Sequence, residues 1–217
     1  MSQRKHTLPK TPWSAKSHWI PTPSSLPVLS ISLLIFGIGD GLLLLSHLGS
    51  TPWTVFAQGI ANKTGGHIGW VSFFVSVGVM LTWLPFKQKP GLGTILNISL
   101  IAVGLGFTAS IVPAPTEMLW RIVFMLAGVI LIGSASAFYL TCHMGPGPRD
   151  GLMVGLYQMT GWKIGTIRTL IEATVCFMGW LLGGIVGIGT LVFALGVGWV
   201  LQGTLGFIVR HFSIKEV

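Results

Sequence analysis

One offset organises this chain. Shifted by 96 residues and laid on itself without a gap, His47, Gly49, Pro52, Gly59, Thr64, Gly65, Ile68 and Gly69 fall on His143, Gly145, Pro148, Gly155, Thr160, Gly161, Ile164 and Gly165. Further on, Gly91-Leu92-Gly93-Thr94 falls on Gly187-Ile188-Gly189-Thr190. The chain is a duplicated unit. Duplication inside a very apolar chain marks a transporter-like membrane fold, in which a site forms where the two halves meet.

The apolar character is what makes the duplication informative. Of 217 residues, 51% are hydrophobic and 8% charged, against about 25% charged in a soluble domain. So few charges could not cover a water-facing surface. The apolar stretches reach the roughly 20 residues of helix that a bilayer requires. Thirty glycines and nine tryptophans agree: close helix contacts inside lipid, indole rings at its edges.

Several classes fall away. The net charge of +8 does not indicate nucleic acid, because Lys and Arg sit between apolar segments and form no stripe on a folded face. Cys142 and Cys176 lie in apolar surroundings and read as buried thiols. No Cys/His spacing resembles a zinc site, so no metal is expected. No G-x-x-x-x-G-K-[ST] loop occurs, so this chain would not power transport by its own ATP hydrolysis. No cofactor is expected.

Residues 1–26, with Arg4, Lys5, Lys10 and Lys16, read as a mobile basic cytoplasmic tail; the alternative is a surface helix on anionic lipid. They lack the apolar core and cleavage site of a secretory signal. Six apolar segments follow, at about 28–47, 68–86, 92–112, 119–142, 164–183 and 187–209. They group as membrane repeat 1 (27–113) and membrane repeat 2 (119–210), with 211–217 as a cytoplasmic C-terminus. Between the first and second segments, and again between the fourth and fifth, lies one short helical run, 52–63 and 148–160. Each opens on proline, Pro52 or Pro148, which suits a first helical turn. Neither run is long or apolar enough to cross alone, so both are expected as short or re-entrant helices.

The basic residues orient the chain. With the N-terminus inside, ten of them (Arg4, Lys5, Lys10, Lys16, Lys87, Lys89, Arg149, Lys163, Arg210, Lys215) face the cytoplasm, and only Lys63 and Arg121 face outward. Each repeat has three spans, an odd number, so the second enters from the opposite side. The expected fold is an all-α polytopic membrane protein: about six transmembrane helices as two inverted three-helix repeats.

Charge inside a span costs about several kcal/mol or more, so the few polar groups there point to function. Asp40 lies in the first span with no cation near it in sequence; its counterpart is Ser136. It would bind a cation, pair across helices or carry a proton. Arg168 and Glu172 share a face of the fifth span as an i, i+4 pair. They either neutralise each other or exchange partners with a charged solute. Ser72 and Ser76 occupy the equivalent positions in repeat 1. Asn97 lies in the third span. Arg149 and Asp150 open the second short helix, where free N–H groups attract anions unless Asp150 caps them. His47 and His143 end equivalent spans and read as interfacial or capping residues.

Gly147-Pro148-Arg149-Asp150-Gly151-Leu152-Met153, Arg168-Thr169-Leu170-Ile171-Glu172, Gly179-Trp180-Leu181-Leu182-Gly183-Gly184 and Val186-Gly187-Ile188-Gly189-Thr190 resemble the YczE/YitT-type bacterial integral membrane proteins. Gly49, Pro52-Trp53 and Pro90-Gly91-Leu92-Gly93-Thr94 with Asn97 resemble the first half of that pattern. The resemblance covers about residues 30–207 and implies a polytopic protein of the bacterial inner membrane, without implying a chemistry. There is one departure: the pattern has an acid after the Pro-Trp, where this chain has Thr54. Asp150 is the symmetric equivalent of that position, so one of two related acids is kept.

These features favour a secondary transporter or permease for a small polar or charged solute, in which Asp40 and Glu172 would bind a cation or a proton and Arg149, Arg168 and Asn97 would contact the solute. Two alternatives stand beside it. One is a non-transporting accessory or assembly protein. The other is an intramembrane enzyme built on Ser134, Ser136 and His143; no catalytic residue is expected on the main reading. Homo-oligomer formation stays open.

Overall fold

The computed structural model describes residues 9–86 and 88–214, with the side chain of Ile164 excepted. Arg4, Lys5, Lys87 and Lys215, four of the residues behind the orientation count, lie outside that range. The regular structure described is entirely helical: α1 (Ser25–Leu45), α2 (Pro52–Thr64), α3 (Ile68–Leu81), α4 (Leu92–Ile111), α5 (Met118–Thr141), α6 (Pro148–Thr160), α7 (Ile164–Leu181) and α8 (Ile188–Phe212), with a 3-10 turn at Leu84–Phe86 after α3. The two short runs expected from the sequence are α2 and α6.

Five helical segments are long and apolar enough to cross a membrane: Ser25–Leu45, Ile68–Phe86, Leu92–Ile111, Met118–Thr141 and Ile188–Phe212. The chain is therefore a multi-pass helical membrane protein. The expected fifth span, α7, is not among them; it has 18 residues and carries Arg168 and Glu172. Lipid explains the outward apolar faces. Leu195 and Trp199 of α8 are 75% and 78% exposed, which in water would be a large unpaired patch.

The duplication is written into the backbone. His47 and His143 close α1 and α5 in the left-handed region, at φ 53° and 56°, which is uncommon for a non-glycine residue. Gly49 and Gly145 follow at φ 114° and 108°. α2 and α6 both start with proline at the first turn and end on a left-handed glycine, Gly65 at φ 69° and Gly161 at φ 68°. That is the usual glycine stop of a helix. The cores repeat as well. Leu29, Leu33 and Ile101 belong to one buried cluster, and their equivalents Met125, Val129 and Val197 belong to the other.

The halves interlock. α1 packs along α5, α2 along α7, and α6 along α3, so each short helix lies against a helix of the other repeat. At one end of the bundle the Gly189 N–H donates to Leu48 O (2.7 Å), and at the other the Gly93 N–H donates to Met144 O (2.8 Å). These contacts are equivalents of one another. Arg121 Nε, at the start of α5, donates to Ser46 O beyond the end of α1 (2.9 Å), so α1 and α5 run antiparallel.

Within the described residues, the segment 9–24 is not the free tail expected from its composition. Trp13 is buried and its Nε1 donates to Thr141 Oγ1 (2.9 Å); the Ala15 N–H donates to Cys142 O (2.9 Å). The His18 carbonyl accepts from the Leu92 N–H (2.9 Å). One aromatic side chain with a hydrogen-bond partner holds this strap on the ends of α5 and α4, against the entropy of a Pro- and Ser-rich segment.

Candidate functional site

A cavity of about 220 Å³ lies between the halves. The starts of α2 and α6 both reach it, through Thr51, Pro52 and Trp53 on one side and Gly147 to Asp150 on the other. Ser76 of α3, Asn97 of α4, Ser136 and Tyr139 of α5, and Arg168 and Glu172 of α7 complete its polar wall. The residues singled out from sequence in five different segments thus meet in one place. Asp40 lies one layer behind, fully buried.

Close backbone approach is what brings α6 in. Gly151 faces the ring of Trp83, so closely that no Cβ would fit. Trp83 is itself buried, and its Nε1 donates to Pro148 O (2.9 Å). Gly155 likewise packs on Phe86, as its equivalent Gly59 packs on Leu182. On α2 the polar residues that make it a poor span are used as ties: Asn62 Nδ2 donates to Gly183 O (2.8 Å), and Gln58 Oε1 accepts from the Ile185 N–H (2.7 Å).

Each carboxylate near the cavity has a hydroxyl or cation partner. Asp40 accepts from Thr54 Oγ1 (2.7 and 2.8 Å to its two oxygens) and from Thr51 Oγ1 (3.3 Å). Asp150 Oδ2 accepts from the Tyr139 hydroxyl (2.7 Å). Glu172 Oε1 accepts from Arg168 Nε (3.0 Å). Gly147 gives α6 no side-chain cap, so Asp150 is held by Tyr139 rather than spent on the helix start.

The departure at Thr54 now has a physical reading. Thr54 and Asp150 are equivalent positions in the first turns of α2 and α6. In repeat 2 the acid sits on the short helix and the hydroxyl, Tyr139, on the long one. In repeat 1 the two have changed places: Asp40 on α1 supplies the carboxylate and Thr54 the hydroxyl. A carboxylate–hydroxyl bond therefore joins the short helix to the long helix in both repeats.

Arg149 stands apart. Its guanidinium lies 5.2 Å from the centroid of the Trp53 ring, a cation–π contact. The charges of Asp40, Asp150 and Glu172 all act on it. Of the charged groups lining the cavity, however, only Arg168 and Glu172 form an ion pair within 4.0 Å. Arg168 has 59% of its side chain accessible and Glu172 29%, so the arginine of the pair reaches furthest from the packed helices.

The serines and histidine of the enzyme alternative have other partners. Ser136 Oγ donates to Ile132 O (2.7 Å), Ser134 Oγ accepts from Thr204 Oγ1 (3.4 Å), and His143 Nε2 lies 3.2 Å from Pro9 O. Among the described residues no cluster of three or more His, Cys, Asp or Glu could hold a metal ion.

Sequence reasoning passed over Tyr139, Trp83 and the threonines that hold Asp40. A signal existed for Tyr139, one of only two tyrosines in the chain, since a phenol inside an apolar helix needs a partner.

Comparison with known proteins agrees with a membrane protein. Residues 24–204 match a family of unknown function, DUF6198. The chain belongs to that family. An uncharacterised protein of Haemophilus influenzae is 49% identical over 210 residues, 97% of this chain and 96% of its own length. An uncharacterised membrane protein of Bacillus subtilis, YczE, is 33% identical over 175 residues, 80% of this chain and 81% of its own. The protein YyaS of the same bacterium, also uncharacterised, is 25% identical over 190 residues, 86% of this chain and 94% of its own. The resemblance read from the motifs is thus to a YczE-type family. No solved structure matches.

Proposed function

We propose that this protein is a secondary transporter for a small polar or charged solute, working by alternating access between two inverted repeats. The observation that carries the reading is the meeting of two equivalent helix starts, from α2 and α6, at one polar cavity between the repeats. Broken or half-length helices aimed at a shared site are how transporter folds place backbone dipoles and charges inside lipid. The antiparallel run of α1 and α5 and the exchanged packing of α2 on α7 and α6 on α3 support a pseudo-twofold relation in the membrane plane. α7, with its charged pair facing the cavity, would be the sixth crossing. The excess of Lys and Arg on one side supports cytoplasmic termini and the bacterial inner membrane.

Asp40 and Asp150 give each repeat one carboxylate on a hydroxyl partner. A proton or cation taken by either would loosen a tie between a short helix and a long one, which couples ion binding to movement. On this reading the chain carries no enzymatic activity of its own.

Proteoliposome uptake of a metabolite panel, with and without a proton gradient, tests the proposal. A solute should accumulate with the wild type and fail to do so with Asp40→Asn, Glu172→Gln. Equal leakage through wild type, double variant and empty vesicles across the panel would contradict it and favour an assembly role.

A further inference from the structure

We propose that the cavity binds a small carboxylate, held by Arg149 against the face of Trp53. This names the solute class for the transport reading above and rests on it.

The argument begins with partners. Every carboxylate at the site already has a donor: Thr54 for Asp40, Tyr139 for Asp150, Arg168 for Glu172. Arg149 has no acceptor in return among the described residues. A guanidinium carries five N–H donors in a plane, and Arg149 is partly buried in the cavity wall. The Trp53 ring lies beside the guanidinium carbon, 5.2 Å from its centroid, which helps to hold the side chain in place. A planar edge of paired donors matches the two oxygens of a carboxylate.

Neighbouring groups sharpen the choice. Gly147 leaves room beside Asn97 and Asp150: a Cβ there would lie 3.3 Å from Asn97 Nδ2 and 3.4 Å from Asp150 Oδ2. The start of α6 has no side-chain cap, so its N–H groups add positive potential on the same side. Three carboxylates already act on Arg149. A dianion such as phosphate would meet more of their repulsion than a singly charged carboxylate does. Size sets the other bound. A volume of about 220 Å³ equals the space of about seven waters, below the 300 Å³ or so at which drug-sized pockets begin.

Equilibrium binding to the full-length protein in detergent, read as a shift in thermal midpoint, tests the inference with propionate, alanine, propylamine and inorganic phosphate as probes. Propionate or alanine should raise the midpoint, while propylamine and phosphate leave it unchanged. Comparing the two active probes tells whether the carboxylate arrives alone or with an ammonium group. Arg149→Lys, which keeps the charge and loses the fork, should weaken binding by about tenfold or more. Met153→Phe fills the same cavity without touching a charge, and should abolish the shift even if Arg149→Lys does not fold. A stabilising amine, silence from both carboxylates, or undiminished binding in Met153→Phe would overturn the proposal. Carboxylate binding without flux would instead remove the transport reading and leave this one standing.

Discussion

At the scale of single residues, the site is a set of acids each given a specific donor. The exchange between Asp40/Thr54 and Tyr139/Asp150 leads to a prediction that composition alone would not suggest. Asp40→Ser recreates in repeat 1 what Ser136 is in repeat 2, and takes the carboxylate acceptor from the buried Thr54 hydroxyl; such an orphaned group costs about 1–3 kcal/mol. Thr54→Asp added to Asp40→Ser moves the acid to the position of Asp150. The single variant should lower the thermal midpoint in detergent, and the double variant should recover most of it. Tyr139→Phe should cost about 1 kcal/mol, read in the same assay. Cys142, one residue beyond α5, offers a third check. Burial pushes its thiol up to about 12, so it stays protonated at neutral pH. A thiol held in that form reacts slowly, and maleimide labelling of the native protein should leave Cys142 unmodified until the protein is denatured.

At the scale of elements, helix placement depends on where a Cβ is forbidden. Gly151 meets Trp83, and Gly78, on α3, meets nothing within 4 Å. Gly151→Ala should therefore lower stability by about 1–3 kcal/mol, the usual cost of overpacking, while Gly78→Ala stays near the wild type. Thermal midpoints of the two variants side by side decide it. The sequence made the long helices and both short ones legible, because an apolar run and a Pro-to-Gly bracket are local signals. It did not reveal that the segment around Trp13 is docked. That depends on a pocket formed by Thr141, Cys142 and Phe212, more than a hundred residues away. Nor did it show that α2 and α6 trade partners, since packing across repeats leaves no local trace. The candidate acids and arginines were found because charge in lipid is rare. Tyr139, Trp53 and Thr54 were not assigned their roles, because a hydroxyl or an indole in an apolar helix looks like packing until its partner is known.

At the scale of the whole molecule, the account stands on two copies of one unit lying upside-down to each other. The antiparallel α1 and α5 and the two hydrogen bonds from Gly93 and Gly189 at opposite ends support it, and the proposed sixth crossing, α7, would give each repeat the odd number of spans that inversion needs. Cysteines placed at Gly66 and Trp162 measure this most directly, because the two are equivalent under the 96-residue offset, are exposed, and follow α2 and α6. In a Cys176→Ala background, an impermeant maleimide applied to intact cells and then to inverted vesicles should label Gly66→Cys from outside and Trp162→Cys from inside. Labelling of both from the same face would make the repeats parallel and would contradict the account.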